Sequence, residues 1–271
     1  MDKNIKKLPD VQNGADKRGV AIQWVGISGY KIPFQVKTKA GENISTVATV
    51  DIMTDLDAKS KGVNMSRFSS VIEKGLDKKL VSSDLIVDML EACRDILGNR
   101  NSYIVIKFDY FIKKKSPTTD NHSHFVIPCN LCGILEDGKI KIYLEAAVDY
   151  TSLCPCSKKI STASAHNQRS TAHVRVRFKH RKLNHLLIED IVDLVEKAAS
   201  CPIWNLLKRE DEKFVTEKAY SKPMFVEDMI REVALSLDKK KQQVAGYKIK
   251  IEHFESIHQH IAVSKISKNI R

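Results

Sequence analysis

No stretch of this chain approaches the ~18–20 consecutive apolar residues that span a bilayer, so a helical membrane protein is not expected. Residues 1–10 are charged and lack the apolar centre of a secretory signal, and the expectation is a cytoplasmic protein. Six cysteines in 271 residues are too few for a disulfide scaffold, which leaves them free, metal-bound or catalytic. Several nucleotide and hydrolase signatures are also missing. There is no Gly-x-x-x-x-Gly-Lys-Ser/Thr loop, no Gly-x-Gly-x-x-Gly, no His-Glu-x-x-His and no Gly-x-Ser-x-Gly. A P-loop NTPase, a dinucleotide dehydrogenase and a serine hydrolase all lose support, and no organic cofactor is expected. Aromatic residues make up only 7%, which disfavours a stacking surface for single-stranded nucleic acid.

The sequence does contain enough hydrophobic residues, 42%, to bury a core, which excludes wholesale disorder. The formal net charge is +12. Up to residue 136 there are 20 basic against 16 acidic residues, and beyond it 25 against 17, so the excess lies mainly in the second half. A positive field favours an anionic partner, either nucleic acid or a phosphorylated small molecule.

The hydrophobic pattern gives an order of elements. Residues 1–19 are polar, contain Asn13-Gly14, and read as an arm. β-branched residues predict strands over 20–36 and 45–52 around a Gly41 turn. Helices are predicted over 67–75 and 83–97, the second with Leu85, Ile86, Met89, Leu90, Cys93 and Leu97 on one stripe. Ser82 or Ser83 can cap that helix and Gly98 can end it. Alternation predicts strands over 103–112 and 123–135, leading to an Asp137-Gly138 hairpin turn. The order then recurs: strands over 139–149 and 171–181, helical stripes at Ile188 to Val195 and Phe225 to Leu237, and strands near 245–254 and 258–264. Residues 20–136 and 137–271 thus each read β-β-α-α-β-β, an α+β class with antiparallel sheet and helices on one face.

Four clusters could carry chemistry. In Ser152-Leu153-Cys154-Pro155-Cys156-Ser157, followed by Ala165-His166-Asn167-Gln168-Arg169-Ser170, a thiolate and an imidazole suit a borderline divalent metal. The bland alternative is a loop cysteine pair and a hydrogen-bonded histidine. Cys129 and Cys132 lie in an apolar run and read as small core residues. His258 and His260 would share one face of a strand, fit for metal binding or proton transfer; an exposed polar face is the alternative. The run Arg209-Glu210-Asp211-Glu212-Lys213 reads as a solvated turn. Glu227 opens an apolar helix, as a first-turn charge or a ligand anchor. Finally, His173, Arg175, Arg177, Lys179 and Arg181 form a cationic strand face that could hold phosphates, or merely keep a strand edge soluble.

Several of these segments, taken together, resemble the bacterial type IB GTP cyclohydrolases. They are the Cys154 and His166 motifs, Leu8-Pro9-Asp10-Val11-Gln12, Lys61-Gly62 with Met65-Ser66-Arg67-Phe68, Asp211-Glu212-Lys213, Phe225-Val226-Glu227-Asp228, and Glu255-Ser256-Ile257-His258-Gln259-His260. They occur in one order across nearly the whole chain. One departure is Asn64, where the family often has histidine. The resemblance implies two tandem tunnelling-fold units per subunit, a homotetramer with active sites at subunit interfaces, and conversion of GTP and water to 7,8-dihydroneopterin triphosphate and formate. It also implies a divalent metal (Zn²⁺, Mn²⁺ or Fe²⁺) on Cys154, His166 and Glu212, with Glu210 and Glu217 as alternatives to Glu212. Glu227 would anchor the guanine, His258 and His260 would move protons, and Cys156 would sit in the site without ligating. Lys158, Arg169 or the basic strand are the candidates for the triphosphate. The competing readings are an archaeal-type relative that makes a cyclic-phosphate pterin, and a non-catalytic basic module that binds RNA.

Overall fold

The computed structural model describes residues 11–12, 14–77, 79–179 and 187–270. The greater part of the arm (residues 1–10 and Asn13) and the end of the basic strand (His180, Arg181) lie outside the described residues. In chain order the elements are β1 (Ile22–Lys37), β2 (Asn43–Leu56), α1 (Met65–Leu76), α2 (Ser83–Leu97), β3 (Ser102–Lys115), β4 (His122–Glu136), β5 (Lys139–Leu153), α3 (Pro155–Ile160), β6 (Asn167–Phe178), α4 (Ile188–Ala198), β7 (Cys201–Pro202), α5 (Arg209–Ser221), α6 (Val226–Asp238), β8 (Val244–His253) and β9 (Ala262–Lys268).

One antiparallel sheet runs β1-β2-β3-β4-β5-β6-β8-β9, with the short β7 paired to β5. The β-β-α-α-β-β order appears in both halves, but α3, β7 and α5 are additions in the second half that hydrophobic periodicity did not predict. α3 buries no residue, and α5 buries only Asp211 and Ala219, so neither carries an apolar stripe.

Local chemistry explains the predicted elements. The Ser82 hydroxyl accepts from the Leu85 amide at 3.1 Å at the start of α2. Gly98 closes that helix at φ +69°, a left-handed conformation that glycine adopts without penalty. Asp137 and Gly138 both have positive φ, as a tight hairpin between twisted strands requires. The alternating apolar residues of the strands face the helices. Ile52, Ile104, Leu131, Leu144, Val174 and Ile249, from six strands, all belong to one core with the stripes of α1, α2, α4 and α6. Gly133 lets α2 approach β4 closely, because a Cβ there would lie 2.4 Å from Ile86 Cγ2. Cys129 and Cys132 are buried, as expected of core residues, and burial pushes both thiols up.

Among the described residues no helix covers the opposite sheet face. It holds a small cluster of Val105, Cys132 and Tyr143, against which Ile270 packs. β1 and β9 are the open edges of the sheet. Among the described residues no helix is long and apolar enough to cross a membrane.

Candidate active site

β5 and β6 pair antiparallel as far as Leu153 and Asn167. The next pair outward is Cys154 and His166, and the Cys154 amide donates to the His166 carbonyl at 3.1 Å. The hairpin therefore sets the two residues side by side on its backbone despite their spacing in the sequence. Pro155 starts α3, and Cys154 is its N-terminal cap, with Sγ accepting from the Ser157 amide at 3.5 Å. The Ser157 hydroxyl donates to the Cys154 carbonyl and accepts from the His166 amide, which fixes the loop.

The imidazole of His166 is oriented from behind. Its Nδ1 lies 3.1 Å from Gln168 Oε1 and 3.8 Å from Glu255 Oε2. The Gln168 amide nitrogen donates to Ser152 Oγ at 2.9 Å and to Glu255 Oε1 at 3.4 Å, so its oxygen is the atom facing His166. Nδ1 is thus the nitrogen that donates to Gln168 Oε1, the kind of second-sphere contact that orients ligating histidines. Gln168 and Glu255 are functional candidates to which the sequence reading assigned no role. The available signal was parity: His166, Gln168 and Ser170 alternate along one strand.

The β8–β9 connection supplies the histidine pair. The expected strand over 258–264 begins only at Ala262, so His258 and His260 lie in a turn. The Phe254 amide donates to the Arg169 carbonyl and the His258 amide to the Glu255 carbonyl. The two exposed rings stack, with centroids 4.8 Å apart and planes 15° from parallel. Beneath this turn the Tyr150 hydroxyl meets His253 Nε2 at 2.9 Å, in contact with the core. Burial lowers His253 to about 4 and keeps it neutral near pH 7.

The remaining candidates are placed by α3, α5, α6 and β6. The run 209–213 forms the first turns of α5 rather than a solvated turn, because Asp211 is fully buried. Its carboxylate accepts from the amides of Thr118, Thr119 and Lys208 and from the Thr119 hydroxyl. Burial alone would raise this carboxyl, but those hydrogen bonds outweigh it and hold the group well below the usual range. With Asp211 facing inward, Glu210, Glu212 and Glu217 are exposed. Among the described residues no group of three or more His, Cys, Asp or Glu is arranged to hold a metal, and exposed Glu212 is not gathered with Cys154 and His166 into such a group.

Glu227 is exposed in the first turn of α6. The segment before it is pinned to the site, since the Met224 amide donates to the Leu153 carbonyl at 3.0 Å. Lys158 donates to the Tyr220 carbonyl and lies 4.2 Å over the Tyr220 ring, which commits it to the end of α5. Arg169 and Cys156 are exposed beside the pair. Arg175 and Arg177, from the basic strand, lie towards the far end of β6.

A thiolate and an oriented imidazole are donors that suit Zn²⁺ or Fe²⁺, and an added carboxylate widens the set towards Mn²⁺. The two residues thus fit part of a metal site, and among the described residues no third ligand completes one with them.

Residues 8–264 match the family described as type I GTP cyclohydrolase folE2. The chain is 40% identical over 264 residues to a GTP cyclohydrolase FolE2 of Burkholderia pseudomallei (strain 1710b), covering 97% of each chain. It is equally similar, 40% over 264 residues, to a GTP cyclohydrolase FolE2 of Cupriavidus necator, covering 97% of this chain and 96% of that one. Among solved structures it resembles a uricase from Arthrobacter globiformis, with a TM-score of 0.57, 6% identity, and 93% and 95% of the two chains covered. A urate oxidase from Bacillus sp. TB-90 gives a TM-score of 0.54 at 9% identity, covering 91% and 99%. At such identity the likeness is one of fold, and it is the tunnelling fold.

Proposed function

The chain belongs to the type I GTP cyclohydrolase family, and from that premise we propose that it converts GTP and water to 7,8-dihydroneopterin triphosphate and formate, the first step of tetrahydrofolate-type pterin synthesis. The observation that best supports the reading is the Cys154–His166 pair, with His166 Nε2 left free by Gln168. Cys154 and His166 would hold a divalent metal, Zn²⁺, Mn²⁺ or Fe²⁺, with Glu212 as the carboxylate ligand. Such a metal supplies Lewis acidity for the attack of water on C8 of the purine.

The chain's own residues do the rest. The Glu227 carboxylate accepts from guanine N1–H and the exocyclic amine, a bidentate match that turns C8 towards Cys154 and His166. His258 or His260, both exposed, delivers a proton to the imidazole nitrogen of the purine as its bond to C8 opens, and solvent water reprotonates the ring. Gln168 and Glu255 keep the His166 ring in one tautomer. Cys156 stands in the site without ligating. Arg169 is the better candidate for the triphosphate, since Lys158 is engaged by Tyr220.

We further propose two tandem units, 20–136 and 137–271, a cytoplasmic location, and a homotetramer with active sites between subunits. Two observations support the assembly. The motif residues Gln12, Gly62 and Arg67, with Asn64, line a small polar cavity of about 100 Å³ at the opposite strand ends from Cys154, so one chain does not gather its own motifs. The open edges β1 and β9 are also free to pair with further copies.

The test is to incubate the purified chain with GTP and each of the three metals. Formate release, pterin fluorescence and a product that keeps its linear triphosphate are expected. A cyclic-phosphate product would favour the archaeal-type reaction. Tight RNA binding at physiological salt with no formate under any metal would overturn the enzyme reading.

A further inference from the structure

The helix-free face of the sheet changes character along β6. Nearer the candidate active site its charges are matched: Glu252 accepts from His173 Nε2 at 2.9 Å and pairs with Lys250 at 2.5 Å. Further along β3, Lys107 pairs with Asp51. At the far end of β6 the balance is lost. Arg175 and Arg177 share this face, Lys248 stands directly across from Arg175 on β8, and Tyr143 stands directly across from Arg177 on β5. Like charges directly opposite on a sheet repel. Glu145 faces Arg175 on the other side, yet among the described residues neither arginine forms an ion pair with any carboxylate.

The Nε atoms of Arg175 and Arg177 are both buried and, among the described residues, have no hydrogen-bond partner. Arg175 has only a long contact from its terminal nitrogen to Cys132 Sγ, 3.8 Å, while its guanidinium lies 4.5 Å over the Tyr143 ring. A buried, unpaired guanidinium nitrogen is costly, and such a group calls for a ligand or ion. Beside it is a cavity of about 620 Å³ lined by Lys141, Tyr143, Arg177, Asn269 and Ile270. Lys141 is held only loosely, 3.9 Å from Glu136. The ladder between β6 and β8 slips between Arg177 and Phe178, an irregularity of the kind that re-aims side chains at sheet ends.

We propose that this cavity is a second anion site, separate from the candidate active site, which binds a phosphate-rich small molecule through Arg175, Arg177 and Lys141. Planar guanidinium groups match phosphate oxygens in pairs, and the lysine adds a point charge. Separation follows from strand geometry, because Arg177 lies roughly 30 Å along β6 from Asn167 at ~3.3 Å per residue. That is too far for the phosphates of a nucleotide whose base is held near Cys154 in the same chain. RNA is the poorer fit: Tyr143 is buried and covered by Arg175, so it offers no face for base stacking.

The test is calorimetric titration of the full chain with inorganic tripolyphosphate, alongside Arg175→Gln/Arg177→Gln and Arg177→Lys. Tripolyphosphate is expected to bind wild type with an affinity that falls with salt. The double variant should bind at least tenfold more weakly at an unchanged KM for GTP, and Arg177→Lys should retain part of the affinity. A circular-dichroism melt confirms that each variant is folded. Competition separates the sources: excess GTP should leave free tripolyphosphate bound if the site takes the free anion, and displace it if the site takes the nucleotide. Unchanged affinity in the folded double variant would overturn the proposal. So would a parallel rise in the KM for GTP, which would make these arginines part of the substrate site. Binding of a short RNA without binding of tripolyphosphate would overturn it too.

Discussion

The two halves share one layout, but they differ at one end of the strands. There, the first half connects its elements through residues 38–42, 77–82 and 116–121, while the second half uses residues 154–166, 199–225 and 254–261. Each connection of the second half is the longer of its pair, and these three segments hold Cys154, Cys156, Lys158, His166, Glu212, His258 and His260. Arg169 and Glu227 follow within a few residues. The first half turns tightly and packs; the second half uses longer connections at the same place, and these carry the motif residues. The layered core is thus a common frame, and the proposed site residues lie on the longer connections at one rim of the second half. This agrees with a general pattern, in which functional groups lie on loops held by a rigid scaffold.

The strongest way to break this contrast is to remove the pair that the long hairpin creates. Cys154→Ala and His166→Ala should each bring formate release from GTP below detection and lower the amount of bound metal measured by mass spectrometry. Retained metal and turnover in both would place the chemistry elsewhere. Next in size is the histidine turn, where His258→Ala and His260→Ala should each lower kcat by about 10²–10⁴-fold, with metal content unchanged. Glu227→Ala comes third: the loss of a charge-assisted bidentate contact should raise the KM for GTP roughly ten- to a hundredfold, again without loss of metal.

A smaller effect follows from pH. Burial lowers the pKa of His253 in the fold to about 4, against roughly 6.5 in an unfolded chain. The unfolded state therefore binds the extra proton between those values. Stability is fully present above about pH 6.5 and falls by up to about 1.4 kcal/mol per pH unit down to about pH 4, which denaturant titration across that range would measure. The smallest effect should come from the first half. Lys39, in the β1–β2 turn, pairs at the surface with Asp190 at 2.7 Å. Lys39→Ala should leave kcat unchanged and cost less than about 1 kcal/mol of stability.

Much of this was legible in the sequence, for physical reasons that differ by element. α2 was readable to its ends, because an amphipathic stripe, a serine cap and a left-handed glycine all agree. The adjacency of Cys154 and His166 was not legible from spacing, because it follows from the pairing of β5 and β6 across a connection that includes α3. α5 was hidden because its inward residue is a carboxylate, Asp211, satisfied by amides from the β3–β4 connection, a contact no local pattern reveals. The histidine pair was read as a strand face because His-x-His mimics strand alternation, whereas the rings meet by folding of a turn. Gln168 and Glu255 were present in the motifs, but their work on His166 depends on two segments joined only in the fold.

The central claim is that this rim of the second half opens the purine of GTP at C8. The most direct measurement uses GTP carrying ¹³C at C8, with the label followed by NMR. The account predicts that the label leaves as formate and that the pterin triphosphate retains none of it. Label remaining in the nucleotide or in a pterin product, under conditions where the wild-type chain is folded and metal-loaded, would contradict it.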